Sequence, residues 1–153
     1  INKYPNVIFR AFGYNPIKWK HDRVEFIDHV DVDKYSQTLY NMNIDIAIAP
    51  LFNNEFNRCK SNCKFLEYSS CSAATIVSDV YPYANTVENG RNGLVIPNDN
   101  KGWLNALEEL INNKQLRLEL AKAAHDTVNS NFTYVNNGEA IDKKYIEVLE
   151  SIL

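Results

Sequence analysis

Two short apolar runs, "IDIAIAPL" (44–51) and "ATIVSD" (74–79), constrain this chain more than any other feature. Each is almost continuously apolar, and each stops at a residue that ends a buried ladder, Pro50 or Asp79. A strand with one wet face alternates apolar and polar residues, whereas a strand covered on both faces does not. Between the two runs, Phe65, Leu66, Tyr68 and Cys71 recur at helical spacing. Strand, helix, strand predicts a parallel pair joined by a crossover helix.

The alternation extends to both sides. "VIFRAF" (7–12), "RVEFID" (23–28) and "GLVIPN" (93–98) read as further strands, the first ended by Gly13 and Pro16. "DVDKYSQTLYNM" (31–42) reads as a helix with Tyr35, Leu39 and Met42 on one side; Asp31 and Asp33 serve its start as cap and dipole partners. The segment 52–60 reads as a polar loop, Ser61 as the N-cap of a helix reaching Ser72, and 81–93 as a turn-rich connection with a plain turn at Asn92 and Gly93. Three apolar stripes follow at helical spacing. They are Trp103, Leu104, Leu107, Leu110 and Ile111; Leu116, Leu120, Ala123, Ala124 and Val128; and Ile141, Tyr145, Val148, Leu149 and Ile152. The pattern predicts one α/β domain over residues 1–153, a Rossmann-like parallel sheet with helices on both faces.

Composition narrows the partners. A net charge of -3 and a pI of about 5.6 argue against nucleic acid, whose binders carry a basic excess. No apolar run approaches the roughly eighteen residues of a membrane span. The chain starts without Met and enters a strand at once, which predicts a piece of a longer protein. Cys59, Cys63 and Cys71 show no disulfide framework spacing and suit a reducing, cytoplasmic setting. They also lack the further ligands of a metal site.

Ligands of open parallel sheets bind beyond the carboxyl ends of the strands. Loops leave those ends at 13–16, 28–31, 50–60 and from Asp79 onward. The longest leads into the helix that carries Glu67, whose first N–H groups near Asn62, Cys63 and Lys64 form an anion site with the helix dipole. Lys60 and Lys64 add positive charge. Glu67 stands roughly 7–8 Å along the helix axis from its start, about the distance from a diphosphate to the sugar hydroxyls of its nucleoside. An ionised carboxylate accepts two hydrogen bonds from a vicinal diol. The same spacing also suits a solvated ion pair, since Lys64 and Glu67 are i, i+3. "IVSDVYPY" admits a non-enzymatic module of flavodoxin or receiver shape, with Asp79 as phosphoacceptor, although "VIFRAFGYNP" lacks the acidic pair such a module needs for Mg²⁺.

"DIAIAPL", "KFLEYSS", "TIVSDV", "VENGRNGLVIPN", "QLRLELAKAA" and "NFT" occur in that order over 44–132. In this arrangement the chain resembles the donor-binding, C-terminal domain of GT-B glycosyltransferases of the large family 4 ("group 1") type. The resemblance implies a retaining, metal-independent transferase without a cofactor, using a UDP- or GDP-sugar in bacterial polysaccharide or glycan assembly. Glu67 matches the glutamate that holds the donor ribose. Ser61, Asn62 and Cys63 match the loop and helix start that cradle the diphosphate, with Lys60 beside them as the candidate phosphate stabiliser. Asp28, His29 and Val30 match the loop near the donor base. The family's first glutamate falls at Cys59, and Glu55 is out of register. Ser72 and Ala74 replace the usual Gly and Pro before the strand. The family's first strand with its phosphate loop, and the acceptor domain with its catalytic His, fall outside the chain. The resemblance therefore implies a fragment inactive alone, whose parent meets a glycan or lipid-linked acceptor at the membrane periphery.

Overall fold

The computed structural model describes residues 1–13 and 20–152. They form two compact units, Ile1–Met42 and Asn43–Leu153.

In the first unit, β1 (Phe9–Gly13) and β2 (Val24–Asp28) pair in parallel, Phe9 opposite Val24 and Gly13 opposite Asp28. α1 (Val32–Asn41) follows, and Phe12 stacks on its Tyr35 with ring centroids 5.2 Å apart. The predicted loop at 13–16 falls outside the described residues apart from Gly13, whose φ of 92° favours glycine. Arg23 gathers the amino-terminal segment by donating to the carbonyls of Ile1, Tyr4 and Val7. Arg10 pairs with Glu25 at 2.6 Å and donates to the Met42 carbonyl at 2.8 Å. Asp31 is the N-cap of α1, but its side chain makes no capping bond; Asp33 lies in the first turn, where it opposes the helix dipole.

The second unit is a three-stranded parallel sheet in the order β3 (Ile46–Ala49), β4 (Ala74–Ser78), β5 (Leu94–Ile96). Ile46 lies opposite Ala74, and Ile76 opposite Leu94. The crossover between β3 and β4 carries α2 (Glu55–Arg58) and α3 (Cys63–Ser70). α4 (Tyr81–Ala84) follows β4, and α5 (Asn100–Asn112), α6 (Lys114–Asn131) and α7 (Tyr134–Glu150) complete the chain. Every residue of β4 is buried, as its almost continuous apolar run predicts.

Successive β4 side chains point to opposite faces and feed two cores. Val77 meets Ala49, Phe65, Tyr83, Ala124 and Val128, while Ala74 and Ile76 meet Leu94, Ala106, Leu110, Leu120 and Ala121. Phe65, Ile76 and Leu110 have no exposed surface, and each such side chain contributes roughly 1.5–3 kcal/mol by leaving water. The sheet is thus covered on both faces, as predicted, and α6 supplies both cores from one helix.

Several details differ from the sequence reading. The strands form two sheets, one per unit. α2 and α4 are single-turn helices within segments read as loop. α5 buries Ala106 and leaves Leu104 56% exposed, because the i, i+3, i+4, i+7 stripe is Trp103, Ala106, Leu107 and Leu110. Asn62, not Ser61, is the N-cap of α3, which stops at Ser70 rather than Ser72. Ser72 sits at φ 57°, and its neighbour Ala73 donates back to the Tyr68 carbonyl at 3.1 Å. A left-handed residue closing a helix is the usual place for glycine, and here Ser72 occupies it.

Asn92 is a core residue rather than part of a plain turn. It is 1% exposed, accepts from the Glu88 amide at 2.8 Å, and donates to the Thr86 carbonyl and the Thr127 hydroxyl. Gly93 is needed because a Cβ there would lie 2.8 Å from Val87 Cγ1 and 3.1 Å from the Thr75 carbonyl. Arg117 Nη1 donates to the Leu110 carbonyl at 2.7 Å, and its Nε lies 3.5 Å from Asp45, joining the end of α5 to the start of β3.

Candidate functional site

All three strands of the second unit run parallel, so their carboxyl ends share one edge. A closed set of hydrogen bonds ties that edge together. The Leu51 amide donates to Ser78 Oγ at 2.7 Å, and Ser78 Oγ donates to Asn98 Oδ1 at 2.6 Å. Asn98 Nδ2 returns to the Leu51 carbonyl at 2.7 Å. One side chain from the end of β4 and one from just past β5 thereby fix the exit of β3. Sequence reasoning passed over both residues, although they sit inside the quoted "TIVSDV" and just after "LVIP".

The exit of β3 leads into α2. Asn54 caps this turn by accepting from the Asn57 amide at 2.8 Å. Asn57 is 7% exposed and donates to the Phe52 carbonyl at 2.9 Å. Arg58 Nε donates to Asn53 Oδ1 at 2.8 Å. A segment rich in Asn thus satisfies its own backbone, which is how such a loop holds a fixed path.

α3 begins immediately afterwards. The Asn62 carbonyl accepts from the amides of Phe65 and Leu66. Its side chain caps nothing; Nδ2 is drawn to Thr86 Oγ1 at 2.7 Å. Ser61, exposed, donates its hydroxyl to Cys63 Sγ at 3.0 Å. Cys63 is the first residue of the helix and is exposed, as is Cys59, the C-cap of α2. The residue standing where the family's first glutamate is expected is therefore a surface thiol, and Glu55 is exposed at the start of α2.

Glu67 stands one turn into α3, half-buried, with its carboxylate 2.8 Å from Lys64 Nζ. The i, i+3 ion pair that the spacing allowed is thus present. Lys60 is held differently, its ammonium lying 4.9 Å from the centroid of the Phe56 ring. Behind Glu67, burial pushes the phenols of Tyr68 and Tyr83 up; Lys64 opposes this at both, and the Glu67 charge adds to it at Tyr68. Burial, then the Glu67 carboxylate, pushes the Cys71 thiol above its ordinary value. Tyr83 belongs to the core, whereas Tyr81 is 65% exposed at the start of α4.

Asp28, His29 and Val30 lie in the first unit, Asp28 ending β2 and His29 exposed in the loop beyond it. Lys60, Ser61, Asn62, Cys63 and Glu67 all belong to the second unit, on one continuous segment. Asp79 is exposed after β4, its amide donating to the Ile96 carbonyl at 2.8 Å. Among the described residues no three His, Cys, Asp or Glu side chains gather as a metal ion requires. No helix among them is long and apolar enough to cross a membrane.

Parallel sheets flanked by helices are shared with solved structures of the GT-B glycosyltransferase class. One is a sucrose-phosphate synthase from Thermosynechococcus elongatus, with a TM-score of 0.71 and 21% identity, covering 85% of this chain and 31% of that one. Another is the C-terminal domain of a group 1 family glycosyl transferase, LpcC, from Francisella tularensis, with a TM-score of 0.61 and 19% identity, covering 72% and 54%. A third is HepE from Anabaena in complex with UDP and glucose, with a TM-score of 0.65 and 18% identity, covering 86% and 33%. The sequence matches the glycosyl transferase-like family over residues 1–143, and the chain belongs to that family. No curated protein matches it. The chain spans only part of these structures, between 31% and 54% of their lengths.

Proposed function

We propose that this chain is the donor-binding, C-terminal part of a retaining, metal-independent glycosyltransferase that uses a UDP- or GDP-sugar and no resident cofactor. The observation that carries this reading is the start of α3. Asn62 turns its side chain away to Thr86, so no side chain caps the turn, and a carboxylate stands one turn further along. Amide donors and the positive end of the helix dipole suit a diphosphate there. Glu67 then exchanges Lys64 for the two ribose hydroxyls, and Lys64 is left close to the phosphates.

In the reaction the bond from the anomeric carbon to the diphosphate breaks, and negative charge grows on the leaving group. Backbone N–H groups at Cys63 and the cation of Lys60 stabilise that charge, and they need little reorganisation because the turn is already built. The acceptor, a glycan or lipid-linked molecule, is assigned to a further domain of the parent, in cytoplasmic assembly of bacterial surface polysaccharide at the membrane face. The HepE structure, solved with UDP and glucose, supports a nucleotide-sugar donor.

Titration calorimetry of the full-length protein with UDP and GDP tests the reading. One of them should bind, equally well in EDTA, and Glu67→Ala should weaken binding at least about tenfold, the value of losing hydrogen bonds to a charged group. No binding by either, or indifference to Glu67→Ala, overturns it. NMR of the product anomer tests retention.

A further inference from the structure

We propose that Phe56 is a positioning residue for Lys60, its ring holding the ammonium ready for the donor diphosphate; this rests on the donor-site reading above. The two lysines flanking the α3 tip are held in opposite ways. Lys64 has its charge matched by Glu67 at 2.8 Å. Lys60 has no carboxylate partner among the described residues and lies 4.9 Å over the Phe56 ring, inside the roughly 6 Å range of a cation–π contact. A carboxylate would neutralise the cation and occupy its N–H donors. An aromatic face attracts the cation while leaving its charge uncancelled and its N–H groups able to donate to an incoming anion.

The backbone beneath the pair is fixed. Both residues hang from the α2 turn, which the buried Asn57 anchors through the Phe52 carbonyl, and the Lys60 amide donates to the Asn57 carbonyl at 3.2 Å. Phe56 itself is 75% exposed, so its ring contributes little to the core and its main contact with a charged group is this one. The ring therefore narrows the range of a long flexible side chain at the point where the diphosphate docks. Phe56 touches no substrate in this scheme and acts only through Lys60.

The test is a double-mutant cycle in the full-length protein, read by calorimetry with a nucleoside diphosphate (UDP or GDP) and with its nucleoside. Phe56→Leu should weaken diphosphate binding about two- to fivefold, the worth of an exposed cation–π contact, and leave nucleoside binding and Tm unchanged. Phe56→Trp should restore or tighten it. In a Lys60→Met background, Phe56→Leu should have no further effect. Equal weakening of both ligands, an undiminished effect without Lys60, or no effect at all overturns the proposal. If neither diphosphate binds the wild type, the donor-site reading falls and this proposal with it. If binding is present and sensitive to Glu67→Ala while Phe56→Leu is silent, only this proposal falls.

Discussion

α6 and α7 are nearly equal in length, 18 and 17 residues, and both carry an apolar stripe at helical spacing. α6 buries Leu120, Ala121, Ala124 and Val128 against β4 and its neighbours. α7 buries only Gly138, leaving Tyr145 69% and Leu149 61% exposed. The difference teaches that periodicity reports an apolar face and says nothing of what covers it. α6 has a fully buried strand beside it, small Ala residues that allow close approach, and Arg117 fastening its first turn to α5 and β3.

That contrast can be broken by mutation. Leu120→Ala, in the core, should lower stability by about 2–5 kcal/mol in chemical denaturation, because a cavity forms where little can collapse. A loss below about 1 kcal/mol would show that α6 is no better packed than α7. Arg117→Met should come next, at about 1–3 kcal/mol, since the partly buried Leu110 carbonyl loses its donor. An unchanged midpoint would mean that apolar packing alone seats α6. Ser72→Gly should act in the other direction. α3 packs on α6 and closes with a left-handed serine, so relieving that conformation should raise stability by about 1 kcal/mol. Destabilisation instead would mean that Ser72 makes a compensating contact. Leu149→Ser on α7 should change stability by less than about 0.5 kcal/mol in this chain. A clear loss would show that the face is covered after all.

Much of the architecture was legible. β4 announced itself as a nearly continuous apolar run, and α6 as a stripe in which four of five positions, Leu120, Ala124, Val128 and Leu116, reach a core. The candidate site was legible as a segment, since Lys60 through Glu67 needed only helical rise and the location of a strand end. Local detail escaped because short polar residues serve caps, turns and cores alike. Ser61 and Asn62 are equally good N-caps by type, and the choice fell to Asn62. Ser78, Asn98 and Asn92 look like ordinary strand-end and turn residues, yet each closes hydrogen bonds across long stretches of chain.

By itself the sequence determined the strands and the longer helices, that the strands run parallel, and that a carboxylate follows an electropositive helix start. Those follow from periodicity, composition and the geometry of neighbouring residues. Only the tertiary structure decided that Asn62 reaches Thr86 instead of capping its own helix, and that α6 gains a covered face while α7 does not. The reason is physical: each outcome depends on which groups from distant parts of the chain arrive within hydrogen-bonding or van der Waals reach, and that is a property of packing rather than of local order.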